Sequence, residues 1–369
     1  MRIMSKRFMT SVLLVFALSL LIGPASACTG VMLRGDDGTV VRGRTMEWGK
    51  FDMKTEALVV PRGMEYQAST PDGDNGIAWK GKYGFVGMNM LGSIVGDGMN
   101  EKGLSIGAFY HHGFAEYTEY DPEKADISMG PVDLMFYILS NFSNVEEVRQ
   151  GLSKIRVVPV ADPHLGRPWP AHISVTDPEG EPIVIEFTEG KIKIHDNPVG
   201  VITNNPNFDW HLLNLRNYGY ISSEPFSDKK WGDLEITPLA GGSGMLGVPG
   251  DFTSPSRFVR AVVFSQHSRE TSGGFDTVEE LFRILDSFNV GASQGEGGAS
   301  DEDVSMPSST QWTIAHDTKN LNIYYHTSYN RRVRKIDLQE IDFARKEKRS
   351  IPLDEERVQD IKDVTAGLM

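Results

Sequence analysis

The sequence predicts an α+β fold in a single domain, and three observations carry that reading. Of its 369 residues, 40% are hydrophobic and 24% charged, the composition of a globular chain with a sizeable core, which excludes disordered and fibrous architectures. Short strand-like runs parted by turn signals interleave with segments of helical period. No linker or internal repeat divides the chain, so the hairpins and helix pairs share one core.

The chain opens with Arg2, Lys6 and Arg7, an apolar run from Val12 to Ile22, and then Pro24-Ala25-Ser26-Ala27. This is the pattern of a secretory signal peptide over residues 1–27, with Ala25 and Ala27 fitting the small-residue cleavage site. The run is about half the ~20 residues that span a bilayer. No later segment is long and apolar enough to do so, which implies a secreted, periplasmic protein whose domain is residues 28–369.

Thr29–Arg34 and Thr39–Met46 read as strands joined by Gly35-Asp36-Asp37-Gly38, a strong turn signal. Pro131–Ile155 has helical period. Ile183–Phe187, Lys191–Ile194 and Val199–Thr203 are short strands separated by Glu189-Gly190 and Asn197-Pro198. Helical patterns return at Phe208–Tyr218, at Pro255–His267 with Ser254 as N-cap and Pro255 at the first position, and at Thr277–Phe288 with Asp276 or Thr277 as cap. Ser293–Asp303, rich in Gly, Ser and acids, reads as an exposed excursion. Strands follow at Gln311–Ala315 and Leu321–His326, and the charged tail from Phe343 to Met369 reads as a surface helix or a subunit arm.

Charge argues against a nucleic-acid partner: 37 Lys+Arg against 50 Asp+Glu give a net charge of -13, which repels a phosphate backbone. Arg331, Arg332, Arg334 and Lys335 form a short cationic run that reads as a solvated edge. No metal or other cofactor is expected. His111 and His112 are neighbours on a strand-like run and point to opposite faces, and no Cys/His set completes a site. Gly241-Gly242-Ser243-Gly244 lacks the ending of a phosphate loop and the spacing of a serine-hydrolase elbow, and reads as a mobile loop near a pocket.

The one cysteine, Cys28, stands at the expected cleavage junction, so no disulfide within the chain is possible. Three readings are open: an incidental thiol, a lipid-anchored binding protein without turnover, and an N-terminal nucleophile. In the third, cleavage creates an α-amino group whose pKa of about 7.7 to 8.0 lets it take the proton of its own thiol. A nearby guanidinium lowers a thiol's pKa further, and the hairpin folds Arg44 and Glu47 back toward Cys28. Spacing alone would equally allow an exposed Arg44–Glu47 strand pair.

Several runs together resemble the choloylglycine hydrolase family, the bile salt hydrolases and penicillin V acylases among the N-terminal nucleophile hydrolases. They are Cys28-Thr29-Gly30, Gly43-Arg44-Thr45-Met46-Glu47-Trp48, Asp97-Gly98-Met99-Asn100-Glu101-Lys102-Gly103-Leu104, Thr203-Asn204-Asn205-Pro206, Gly247 through Phe258, and Thr310-Gln311-Trp312-Thr313. They cover nearly all of residues 28–369 in family order. The resemblance implies a four-layer αββα sandwich, a small-molecule amide substrate, and a homotetramer.

It also implies roles. Cys28 would be the nucleophile, Arg44 the cation beside its sulfur, Asn204 a side-chain donor to the oxyanion, Tyr110 the backbone donor completing that hole, and Arg257 a second active-site arginine. Glu47 stands where the family usually has an aspartate holding the α-amino group. The extra methylene displaces the carboxylate by about 1.5 Å, so the strand shifts or a water bridges. Without the resemblance, Asn204 would read as a turn residue before Asn205-Pro206, and Arg257 as a surface arginine. Met46, Met88, Met90, Phe109 and Trp48 are candidates to line an acyl pocket.

Tyr110 and Trp48 liken the chain most to the Gram-negative penicillin V acylase branch. The expected activity is cleavage of phenoxymethylpenicillin or N-acyl homoserine lactones, with conjugated bile salts as the alternative substrate.

Overall fold

A computed structural model describes residues 28–291 and 306–368. The expected signal peptide and the excursion Ser293–Asp303 lie outside the described residues.

Two antiparallel sheets stack face to face, each backed by helices. The first contains β1 (Thr29–Arg34), β2 (Val40–Lys50), β10 (Val201–Ile202), β11 (Met306–Asp317), β12 (Asn322–Thr327) and β13 (Arg334–Asp337), in the order β10-β1-β2-β11-β12-β13. The second contains β3 (Glu56–Val60), β4 (Phe85–Met90), β5 (Ile94–Asn100), β6 (Ser105–Tyr110), β7 (Ala171–Thr176), β8 (Ile183–Thr188), β9 (Lys191–Asp196) and β14 (Arg349–Pro352), in the order β9-β8-β7-β6-β5-β4-β3-β14. Helices α1 (Pro131–Asn141) and α2 (Val145–Leu152) belong to the layer outside the second sheet, α1 packing on β5 and β6. Helix α3 (Phe208–Leu215) packs on α4 (Ser254–Gln266), and α4 and α5 (Gly274–Asp286) cover the first sheet. The architecture is the expected αββα sandwich.

This layering explains the apolar runs. β4 and β5 are buried at every residue because one face meets α1 and the other meets the first sheet. One core cluster joins Leu134, Ile138 and Val148 of the helices to Phe85, Val95 and Ile106 of the second sheet. A second runs between the sheets and beneath α5, with Met46, Trp48, Met88, Phe109, Leu281 and Leu285. No helix of the described residues is long and apolar enough to cross a membrane.

Several boundaries differ from the expectation. The helix predicted over Pro131–Ile155 breaks at Phe142, which is extended; Asn144 then caps α2 by accepting from Glu147 N at 2.9 Å, while Glu147 accepts from Ser143 N at 2.8 Å. The N-cap of α4 is Thr253 rather than Ser254, because the Ser254 hydroxyl accepts the Asn204 N–H. α5 starts at Gly274, since Asp276 accepts from Ser272 N and pairs with Arg269 instead of capping. The tail is not a surface helix: Phe343 is buried against Gly84, and Arg349–Pro352 pairs with β3. The cationic run is an edge of ion pairs, Arg331 with Asp286, Arg332 with Asp360, Arg334 with Asp354 at 2.9 Å and Lys335 with Asp337 at 3.1 Å.

Between the sheets lies a buried charge cluster. Asp97 accepts both Nη atoms of Arg42 at 3.2 and 2.8 Å, lies 4.0 Å from Arg44 Nη1, and faces His316 Nε2 at 3.2 Å. His316 Nδ1 is 2.7 Å from Ser105 Oγ. The Ser–His–Asp composition resembles a hydrolase triad, but all three side chains are fully buried, so the cluster acts as a counter-ion to the arginines. Gly107 leaves room for it, since a Cβ there would sit 1.8 Å from Arg42 Nη2 and 2.6 Å from Asp97 Oδ2. Gly107→Ala should therefore separate the pair and destabilise the fold by about 3–5 kcal/mol, the usual loss when a buried ion pair is broken. Urea denaturation checks this, and an unchanged midpoint would mean that the pair tolerates displacement.

Candidate active site

The site follows from strand alternation at the head of the first sheet. In β1–β2, Thr29 pairs with Thr45 and Gly30 with Arg44. Alternation sends Arg42, Arg44, Met46 and Trp48 into the space between the sheets and Thr45 and Glu47 to the helix side. Cys28 Sγ faces the inter-sheet space, 3.8 Å from Met46 Sδ and 4.0 Å from the Glu47 carbonyl oxygen. Cys28 is buried. Gly30 is required beside it, because a Cβ would meet the Phe109 ring at 2.6 Å.

Arg44 is held by carbonyls and rings. It donates to the Ala108 and Thr45 carbonyls, its guanidinium lies 4.2 Å above the Phe109 ring, and its Nη2 is 3.3 Å from Met46 Sδ. The Met46 thioether therefore stands between the Arg44 guanidinium and the Cys28 sulfur.

On the other face, Arg257 gathers three segments. It donates through Nη1 to the Cys28 carbonyl and, at 2.9 Å, to Thr29 Oγ1, through Nη2 to Asn204 Oδ1 at 2.6 Å, and through Nε to the Phe252 carbonyl at 2.8 Å. Its place in the first turn of α4, where the helix dipole disfavours a cation, is offset by these acceptors. Because Arg257 only donates, the Asn204 oxygen must face it, and Asn204 Nδ2 then donates to the Tyr110 carbonyl at 2.8 Å. Cys28, Asn204, Tyr110 and Arg257 are thus brought together.

Glu47 is fully buried, accepting from Thr310 Oγ1 at 2.7 Å and Thr45 Oγ1 at 3.0 Å. In the full-length chain, where the Cys28 nitrogen is an amide, burial pushes the Glu47 carboxyl up to about 7, against the pull of those hydroxyls and of Arg257 and Arg44. An α-ammonium on Cys28 would add to the pull of the two arginines and favour the ionised carboxyl further.

An apolar cavity of about 40 Å³ opens from Cys28, lined among others by Met46, Trp48, Met90, Phe109, Tyr110 and Trp169. Met88 is buried in the core and is not in that lining. Trp48 meets Tyr110 edge-on with centroids 5.5 Å apart and lies 5.5 Å from Trp169, which makes an aromatic wall. Arg167 donates to the Tyr110 hydroxyl at 2.7 Å. The Gly241–Gly244 loop is not in the cavity lining; its Gly244 lies against the Glu224 backbone.

Sequence reasoning missed Arg167, Trp169 and the second use of Ser254, and it placed Thr310 in a motif without its bond to Glu47. It also missed the surroundings of His111, whose ring lies with His172 and Glu186, residues of β7 and β8 that spacing does not associate with it. These three offer a possible ligand set for a metal. However, the two imidazoles stack with planes 2° apart and centroids 4.3 Å apart, so their in-plane lone pairs do not converge on one ion.

Comparison with known proteins agrees with this geometry. Residues 28–353 match the family model described as linear amide C–N hydrolases, choloylglycine hydrolase family. The bile salt hydrolase/transferase of Clostridium perfringens is 30% identical over 315 residues, covering 84% of this chain and 92% of that protein. The penicillin V acylase of Pectobacterium atrosepticum is 26% identical over 325 residues, covering 82% and 78%. A crystal structure of a variant of the C. perfringens conjugated bile acid hydrolase superposes with a TM-score of 0.79 at 26% identity, covering 91% of this chain and all of that one.

The Glu47 carboxyl gives a signed expectation for the full-length chain. A group whose folded pKa is raised contributes stability below its unfolded value, here 4.5, and loses it as pH rises through about 7. Glu47→Gln should therefore stabilise the uncleaved protein at about pH 8 by up to roughly 3 kcal/mol, and do little near pH 4. Thermal unfolding at the two pH values checks this; equal effects at both would mean that Glu47 stays ionised throughout.

Proposed function

We propose that this chain, which belongs to the choloylglycine hydrolase family of linear amide C–N hydrolases, is a secreted, periplasmic enzyme that uses Cys28 as its N-terminal nucleophile once residues 1–27 are removed. The carrying observation is that the Cys28 sulfur opens on an apolar cavity while Arg257 joins the Cys28 carbonyl to Asn204.

In this mechanism the neutral α-amino group of Cys28 takes the thiol proton, and the thiolate attacks the amide carbonyl. The oxyanion receives hydrogen bonds from Asn204 Nδ2 and the Tyr110 N–H. The ammonium returns the proton to the departing amine, and water then hydrolyses the thioester. Glu47 holds the α-ammonium, Arg44 acts on the sulfur across Met46, and no cofactor takes part. Burial of the Cys28 sulfur favours this reading over a lipid anchor, because acyl chains attached there would need the space taken by Met46 and Trp48. The exposed Trp231 and Leu234 on the hairpin Lys229–Ile236 support self-association, with a homotetramer as the assembly.

For substrate, the aromatic wall of Trp48, Tyr110 and Trp169 offers flat faces to a phenoxyacyl group or an extended fatty acyl chain. The second reading is a conjugated bile salt hydrolase, favoured by relatives such as that of C. perfringens at 30% identity. The values of kcat/KM on phenoxymethylpenicillin, a long-chain N-acyl homoserine lactone and glycocholate decide between them. The first reading expects glycocholate to be slowest; a glycocholate value tenfold above the others, about 1.4 kcal/mol in transition-state binding, selects the second.

Cys28→Ala should abolish turnover with the fold retained, and a chain verified to keep residues before Cys28 should be inactive, since an amide nitrogen cannot act as base. A tenth of normal activity in either would contradict the mechanism. In the processed enzyme, Glu47→Gln removes an anion that favours the α-ammonium, so the acidic limb of the kcat/KM profile should move to lower pH and kcat should fall about tenfold or more. An unchanged profile would return Glu47 to a packing role.

A further inference from the structure

Behind Asn204 lies a largely buried cluster that the mechanism above does not use. Glu186, on β8, is 1% exposed; its Oε1 accepts from Phe208 N at 2.9 Å and faces His172 Nδ1 at 3.1 Å. His195 Nε2 lies 3.3 Å from Glu186 Oε2, and His111 Nε2 lies 3.7 Å from Oε1. The opposite nitrogen of His172, Nε2, donates to the Thr203 carbonyl at 3.0 Å, and His211 Nε2 donates to the Asn204 carbonyl at 3.1 Å.

Placement gives this cluster its meaning. β10 pairs with β1 only at Val201 and Ile202, so the sheet ladder stops before Thr203 and Asn204. Beyond it, the Thr203 carbonyl is held by His172, the Asn204 N–H by Ser254 Oγ at 2.9 Å, and the Asn204 carbonyl by His211. Side chains here replace the missing strand partner on both sides of the Asn204 Cα.

Proton accounting ties His172 to Glu186. The Thr203 carbonyl can only accept, so Nε2 carries a hydrogen, and Nδ1 faces a carboxylate oxygen, so one further proton lies between Nδ1 and Oε1. Burial alone would raise the Glu186 carboxyl, but hydrogen bonds from His172 and His195 and the charge of His172 hold it well below the usual carboxylate range. Burial, with the charge of His172, pushes His111 down to about 3, which leaves it a neutral packing partner of the His172 ring.

We propose that His172, held by Glu186, is a positioning residue that fixes the Thr203–Asn204 peptide and thereby aims the Asn204 amide at the oxyanion. The inference rests on the oxyanion role given to Asn204 above. If Glu186 is replaced by Gln, the proton between the two side chains is lost. The oxygen of the new amide still accepts from Phe208 N and faces Nδ1, so a neutral His172 keeps its single hydrogen on Nδ1 and Nε2 no longer donates to the Thr203 carbonyl.

Kinetics of the processed enzyme on the best of the three substrates above test this, with wild type, His172→Gln, Glu186→Gln, Glu186→Asp, Asn204→Ala and the double variant His172→Gln/Asn204→Ala. The expected result is a fall in kcat of about tenfold or more with KM within about twofold for His172→Gln and Glu186→Gln, and partial recovery in Glu186→Asp. The double variant should be no slower than Asn204→Ala alone, because His172 acts through Asn204. Losses that multiply in the double variant, normal kcat in folded His172→Gln and Glu186→Gln, or failure of both to fold would overturn the proposal. If Asn204→Ala itself keeps wild-type kcat, the oxyanion reading fails first; if it is slow while His172→Gln is not, only this inference fails.

Discussion

The site depends on one guanidinium. Arg257 links the Cys28 carbonyl, the Thr29 hydroxyl, the Asn204 side chain and the Phe252 carbonyl, which come from the start of β1, the end of β10 and the loop entering α4. Two of these acceptors, the Cys28 and Phe252 carbonyls, are backbone groups outside any strand or helix, which would otherwise need water. A charged donor with a fixed planar fork can satisfy several such groups in defined directions, which a lysine cannot do. The fork also settles which way the Asn204 amide points, and therefore which of its atoms is available to a developing negative charge.

Around that clamp the protein buries charge in compensated groups. Asp97 balances Arg42 and lies near Arg44 between the sheets, and Glu186 lies against His172 behind Asn204. Glu47, between Arg257 and Arg44, is raised to about 7 by burial. The aromatic wall and the apolar cavity sit on the opposite side of the first sheet from Glu47. A two-residue alternation therefore separates the apolar cavity face from the polar face, with Cys28 at the edge between them.

Much of this was legible in the sequence because local physics determined it. The Thr29–Arg34 strand and the Gly35–Gly38 turn stand as read, whereas the convergence of Cys28, Asn204 and Arg257 was implied by the family resemblance and not by local pattern. The helix break at Phe142 was hidden by an apolar pattern that continues in period across it, although Ser143-Asn144 and Glu147 carry the capping signal. Ser254 looked like a cap because its type suits one, and only the fold reveals that its hydroxyl serves Asn204. Thr310, His172 and Glu186 could not be linked to the site from spacing, since each arrives from another strand across distances that only sheet order sets.

The central claim is that Cys28, freed at its nitrogen, is the atom to which the acyl group is transferred. Acid quenching of the enzyme during turnover, followed by proteolysis and mass spectrometry, tests it most directly. The account predicts the acyl mass on a peptide that begins at Cys28 and ends at Arg34, with no residue before the cysteine. Turnover with that peptide unmodified, or with the acyl group on a different residue, would contradict it.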